Sequence, residues 1–94
     1  MLRNKEKSYL RGLAQTKRAL FQIGKDGITP NMIRTVSDSL EAHELVKIAL
    51  LKTCADDVRQ AALDMSGATS SEIVQIIGRT FVLYRRSKKN KLEL

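Results

Sequence analysis

The chain has 94 residues, a length that buries only about 60–65% of its unfolded surface and so holds a single core. With 43% hydrophobic and 29% charged residues it is globular rather than disordered in composition, and no apolar run is long enough to span a bilayer. One cysteine excludes an internal disulfide and a cysteine-based zinc site, which leaves the net charge of +7 as the informative number.

The N-terminal MLRNKEKSYLRG is too charged for a signal peptide, and from Asn4 to Ala14 it carries helical spacing instead, with Tyr9, Leu10, Leu13 and Ala14 on one side. Arg18–Ile23 is short and apolar, with Ala19, Phe21 and Ile23 at period two, which predicts a strand ended by Gly24. After the turn Gly24–Gly27, Thr29 and Pro30 form a helix start, a hydroxyl at the N-cap and proline at the first helical position. Met32, Ile33, Val36 and Leu40 carry that helix to about Ala42. Glu44–Leu51 reads as a second strand with Val46, Ile48 and Leu50 on one face. A third helix is expected from Cys54 or Ala55 to Ser66, with Val58, Ala61, Ala62 and Met65 inward and Gly67 just past its end. Ser71–Ile77, a Gly78-Arg79 turn and Thr80–Arg85 then form a hairpin. The order α-β-α-β-α-β-β predicts a two-layer α/β sandwich with a mixed four-stranded sheet, in which the two strand–helix–strand crossovers favour parallel neighbours. Residues 1–86 form one domain in this reading, and 87–94 a basic, frayed tail.

The charge is segregated along the chain. Residues 1–25 hold seven basic side chains against Glu6 alone, a net of +6; residues 26–78 sum to −4, and residues 79–94 to +5. Two concentrated cationic ends favour a polyanionic partner more than a diffuse excess would. Between them lies Gly24-Lys25-Asp26-Gly27, after a strand and before a helix. Two glycines three apart allow positive φ, and the turn and helix N–H groups, with the Lys25 ammonium, can meet a phosphate. Asp26 is better suited to shaping the turn. The motif lacks the third glycine of a dinucleotide fingerprint and the ending of a P-loop, which argues against a nucleotide cofactor. KH domains clamp nucleic-acid backbone with a GxxG loop, but between two helices, so only the chemistry carries over.

The basic first helix with Leu10-x-x-Leu13-Ala14 is followed by Ile23-Gly24-Lys25-Asp26-Gly27-Ile28-Thr29 and by Leu40-Glu41-Ala42-His43-Glu44-Leu45-Val46-Lys47-Ile48. Gln75-Ile76-Ile77-Gly78-Arg79-Thr80-Phe81-Val82-Leu83-Tyr84-Arg85 closes the series. In this order they resemble the CRM domain, the chloroplast RNA splicing and ribosome maturation family, whose stand-alone bacterial members are the YhbY-like proteins. The resemblance implies a sandwich related to the C-terminal domain of bacterial translation initiation factor three. It also implies RNA binding, association with the precursor of the large (50S) ribosomal subunit, and Gly24–Gly27 as the RNA-contact loop. The flanking Arg11, Lys17 and Arg18 and the C-terminal Arg85, Arg86 and Lys88 are expected to neutralise phosphates beside it.

The remaining chemically capable residues read as structural. His43 beside Glu44 could act as a base, but no nucleophile lies near it in sequence, and it suits a helix C-terminus. Cys54 reads as a small buried residue, and Asp56 and Asp57 as complements to a helix dipole. Phe21 and Phe81 belong to apolar strands, which leaves Tyr84, beside Arg85 and Arg86, as the aromatic to test as a base-stacking platform. The expectation is a monomeric, cytoplasmic, non-enzymatic RNA-binding protein that assists ribosome assembly without metal, cofactor, membrane or small-molecule substrate. The alternative is an interaction module whose basic face docks on an acidic protein.

Overall fold

The computed structural model describes residues 2–88. Helix α1 (Asn4–Gln15) begins where the Arg3 N–H donates to Glu6 Oε1 at 2.9 Å, a carboxylate in the first turn that also complements the helix dipole. It buries Leu10 and Ala14. Strand β1 is only Phe21–Ile23, shorter than the expected Arg18–Ile23. Residues 17–19 are used in the descent from α1 to the sheet edge, where the Lys47 ammonium holds the carbonyls of Ala14 and Lys17 at 3.5 and 3.3 Å. Helix α2 (Pro30–His43) starts as expected: the Met32 N–H donates to Thr29 Oγ1 at 3.2 Å, and Pro30 follows the cap.

Strand β2 (Leu45–Leu50) precedes helix α3 (Val58–Thr69), which begins later and ends later than its periodicity suggested. Gly67 lies inside α3, and the left-handed residue that ends it is Ser70, at φ 56°. The extra turn persists because its terminal groups find partners. Thr69 Oγ1 donates to the Met65 carbonyl at 2.8 Å, and the Thr69 carbonyl accepts from Arg85 Nη1 at 2.8 Å.

Strands β3 (Glu72–Ile77) and β4 (Thr80–Tyr84) form the expected hairpin, with Gly78 at φ 57° in its turn. The sheet order is β1-β2-β4-β3. The β1–β2 pair is parallel, with Phe21 opposite Ile48, as the first crossover predicts. The second crossover does not produce neighbours: β4 lies between β2 and β3, antiparallel to both. The composition of β4 explains its central place, since Phe81, Val82, Leu83 and Tyr84 are all buried and both of its faces need cover.

Helices α2 and α3 form the main layer. Val36, Leu40, Ala61, Ala62 and Met65 pack there against Ile23, Val46, Ile48, Leu50, Phe81 and Leu83. Helix α1 covers part of the opposite face, where Leu10 and Ala14 meet Leu45, Val74, Val82 and Tyr84. The sandwich thus gains a partial third layer. A bulge at Val74 adapts β3 to this arrangement: Ile73 pairs with Leu83 and Gln75 with Val82, so Val74 is the extra residue, turned toward α1.

Candidate nucleic-acid interface

The C-terminal ends of β1 and β2 place the glycine turn beside the β2–α3 loop. The Gly27 N–H donates to the Gly24 carbonyl at 3.0 Å, and the Leu51 N–H to the Ile23 carbonyl at 2.9 Å. Gly27 sits at φ 67°, where an added Cβ would lie 3.3 Å from Asp56 Oδ2; at Gly24 a Cβ would make only ordinary contact with Leu51 and Thr53. Lys25 and Asp26 are exposed at the tip, with Lys52 exposed on the neighbouring loop. Asp56 puts a carboxylate close to the Gly27 end of the turn, away from the exposed Lys25.

Arg79, which sequence reasoning treated as a hairpin residue, holds this end together. Its Nη2 donates to the Leu51 carbonyl at 2.7 Å and the Cys54 carbonyl at 3.2 Å, and its Nε to the Leu50 carbonyl at 3.3 Å. The β2–α3 loop behind the turn is thereby fastened to the β3–β4 hairpin. Cys54 is buried beneath it, as expected of a small apolar side chain.

The other expected RNA contacts separate into different places. Lys17 and Arg18 lie at the opposite end of β1, with Leu20, His43, Leu45 and Lys47, and six extended residues put Arg18 at most about 20 Å from Gly24. Arg11 is half-buried on α1, one turn before Gln15, which borders an open strip of sheet with Gln75, Ile77 and Thr80. The start of α1 and the segment after β4 meet away from the glycine turn: Leu2, Glu6, Glu72, Tyr84 and Arg86 surround one cavity, and the Leu2 N–H donates to the Glu72 carboxylate.

The Arg85 guanidinium is engaged within the fold. Its Nη1 donates to Ser37 Oγ at 3.0 Å and the Thr69 carbonyl at 2.8 Å, and its Nη2 to the Ser37 carbonyl at 2.7 Å. The first two residues of the expected tail make contacts with the fold. Ser87 is buried, with its N–H and Oγ donating to Glu44 Oε2 at 2.6 and 3.0 Å, and the Lys88 N–H donates to Glu41 Oε2 at 3.1 Å. Lys88 is nonetheless exposed, and Arg86 stands exposed beside it in sequence. Residues 89–94, the rest of the expected tail, lie outside the described residues.

Tyr84 is 6% exposed, so its ring offers no platform for a base. Burial pushes its phenol pKa up, with Glu44 adding to the rise and Arg86 opposing it. Glu44, expected as the first residue of the second strand, instead caps α2 ahead of β2. It is fully buried at φ 67°, its carbonyl accepts the Arg85 N–H at 2.9 Å, and its carboxylate binds Ser87. No local pattern marks such a residue, because its partners lie about forty residues away.

What the fold does achieve is a separation of charge by face. Helix α1 and the segment to Arg18 carry Lys5, Lys7, Arg11, Lys17 and Arg18 against Glu6. Helices α2 and α3, across the sheet, carry Arg34 and Arg59 against Asp38, Glu41 and Asp64. Among the described residues no helix is long and apolar enough to cross a membrane, and no cluster of three His, Cys, Asp or Glu side chains could hold a metal ion.

Residues 2–85 match the CRS1/YhbY (CRM) domain model. The chain is similar to "Probable RNA-binding protein YqeI" of Bacillus subtilis (strain 168), at 42% identity over 97% of this chain and 95% of that protein. An "RNA-binding protein" of Haemophilus influenzae (strain ATCC 51907 / DSM 11121 / KW20 / Rd) is 29% identical over 99% of this chain and 94% of its own length. The solution structure of the hypothetical protein SAV1595 from Staphylococcus aureus superposes with a TM-score of 0.82 at 49% identity, covering 98% of this chain and 96% of that one. With the family model spanning nearly all of the described fold, the chain belongs to the CRS1/YhbY (CRM) family.

Proposed function

We propose that this protein binds RNA, without catalysis, and that its partner in the cytoplasm is ribosomal RNA of the large-subunit precursor, whose assembly it assists. The observation that carries the reading is the division of charge between faces: a surface concentrated in Lys and Arg neutralises phosphates and releases their counterions. Lys25 at the glycine turn, Lys17 and Arg18 at the far end of β1, Arg11 on α1, and Arg86 and Lys88 beyond β4 are the proposed phosphate contacts. Arg85 acts from inside the fold by positioning the segment that carries the last two. Gly24 and Gly27 shape the turn that presents Lys25, with Asp26 beside it at the tip. RNA binding agrees with the names of the relatives, and the large-subunit precursor is the partner that the resemblance to YhbY-like proteins implies.

The contact is mainly to backbone and shape. Among the described aromatics only Tyr9 is substantially exposed, at 52%, so base stacking on aromatic rings contributes little. Ultraviolet cross-linking in cells, with sequencing of the bound RNA, is expected to recover a defined segment of large-subunit ribosomal RNA. Recovery of RNA spread without preference over the transcriptome would remove the ribosomal assignment. Salt-insensitive binding to an acidic protein, with no RNA bound, would remove the RNA reading altogether.

A further inference from the structure

Where α1 ends and β1 begins, a cavity of about 240 Å³ is lined by Lys17, Arg18, Leu20, His43, Leu45 and Lys47. Its chemistry differs from that of the other cavity with several charged groups. The one at the chain ends includes Glu6 and Glu72, which repel phosphate; this one contains no carboxylate among its lining residues. Leu20 is 58% exposed although it shares the lining with four cationic or titratable side chains. An exposed leucine ringed by cations suits a ligand with a flat apolar body and an anionic attachment.

The walls are built by the backbone. Lys47 Nζ donates to the Ala14 and Lys17 carbonyls, so one cation of the lining is spent on fixing the end of α1. The Leu20 N–H donates to the Lys47 carbonyl at 2.9 Å, which sets Leu20 on the edge of the sheet. Lys17, Arg18 and His43 are exposed, and their side chains stand at the rim of this fixed frame.

We infer that this cavity receives a single unpaired, unstacked nucleotide of an otherwise folded RNA. The inference rests on the RNA-binding reading and adds a second site to it, remote from the glycine turn. The base lies against the exposed Leu20, with the His43 ring or the Arg18 guanidinium plane covering it, since both are surfaces on which unstacked bases are held. Lys17 and Arg18 meet the phosphates on either side. The volume suits one base, being below the about 300–1,000 Å³ of pockets for drug-sized ligands. His43 thereby acquires a role in recognition.

The test compares two RNA stem–loops of equal length and charge, one with a bulged adenosine and one with an abasic residue at the same place. By fluorescence anisotropy the full chain is expected to bind the intact bulge about tenfold more tightly. Leu20→Ser and His43→Ala should bring the ratio of affinities to about one, and Leu63→Ser, at an equally exposed leucine on α3, should leave the ratio as it is. Equal binding of both RNAs by the natural chain, or an unchanged ratio in Leu20→Ser, would overturn the pocket while RNA binding stands. Failure to bind either RNA would instead remove the RNA-binding reading and the pocket with it. Free AMP competing as well as the bulged stem would overturn the assignment to a residue of folded RNA.

Discussion

Gly24 and Gly27 share a turn but not a reason for being glycine. At Gly27 the left-handed φ of 67° and the nearby Asp56 carboxylate oppose any side chain. Gly27→Ala is expected to lose about 1–2 kcal/mol in urea unfolding, whereas Gly24→Ala should be equal in stability or gain up to about 1 kcal/mol. Equal losses at the two positions would contradict this account. Glu44, like Ser70, holds a positive φ without being glycine, and its carboxylate anchors Ser87. Removing it in Glu44→Ala leaves the buried Ser87 donors without that acceptor and is expected to cost about 1–3 kcal/mol. Tyr84 links stability to alkaline pH. Its folded-state phenol holds the proton more tightly than the ordinary value of about 10, so its contribution is whole below that pH and is lost as pH rises through the elevated folded value. Urea unfolding at successive pH values should show the natural chain losing stability relative to Tyr84→Phe above about pH 10. Parallel profiles would show that the buried phenol has no such linkage.

At the scale of elements, three cations from the sheet and its flanks satisfy carbonyls that the elements leave open. Lys47 closes α1, Arg85 closes α3, and Arg79 gathers the β2–α3 loop. Such groups at helix C-termini also complement the dipole. Positive charge in this chain is therefore of two kinds, and substitutions should separate them. Arg85→Leu is expected to lower stability by about 2–3 kcal/mol, because the Thr69 and Ser37 carbonyls lose a charged donor. Lys25→Ala should keep stability within about 0.5 kcal/mol and reduce the salt slope of RNA binding by about one. Local pattern does not distinguish these cases: Arg85 lies in a basic run, and only contacts 16 and 48 residues distant commit it inward. The same limit explains other departures. Periodicity located every helix and strand, since each depends on its own apolar face. It misjudged the end of α3, where Thr69 and Arg85 rather than Gly67 close the helix, and it shortened nothing from β1, whose first residues are drawn off toward α1. The glycine turn was legible because positive φ demands a particular residue. The cavity around Leu20 was not, because its lining comes from the α1–β1 connection, the end of α2 and β2.

At the scale of the molecule, the sheet acts as a partition between a basic side and a mildly acidic one. Charge reversal at Lys17 and Arg18 is expected to weaken RNA binding about tenfold or more at low salt, with a shallower dependence on salt. Reversal at Arg34 and Arg59 across the sheet should change affinity less than about twofold, once long-range repulsion is screened at physiological ionic strength. Filter binding over a salt series checks both, and similar losses on the two sides would mean that RNA wraps the whole protein. The position of β4 has a further consequence, for the order of events in synthesis. Among the described strands it is the last made, yet it fills the slot between β2 and β3. A nascent chain that has emerged only as far as Ile77 carries two strand edges with nothing between them, and these are edges open to wrong partners. The sheet can be completed only when Thr80–Tyr84 has left the ribosome, so folding comes as one late event rather than keeping step with translation.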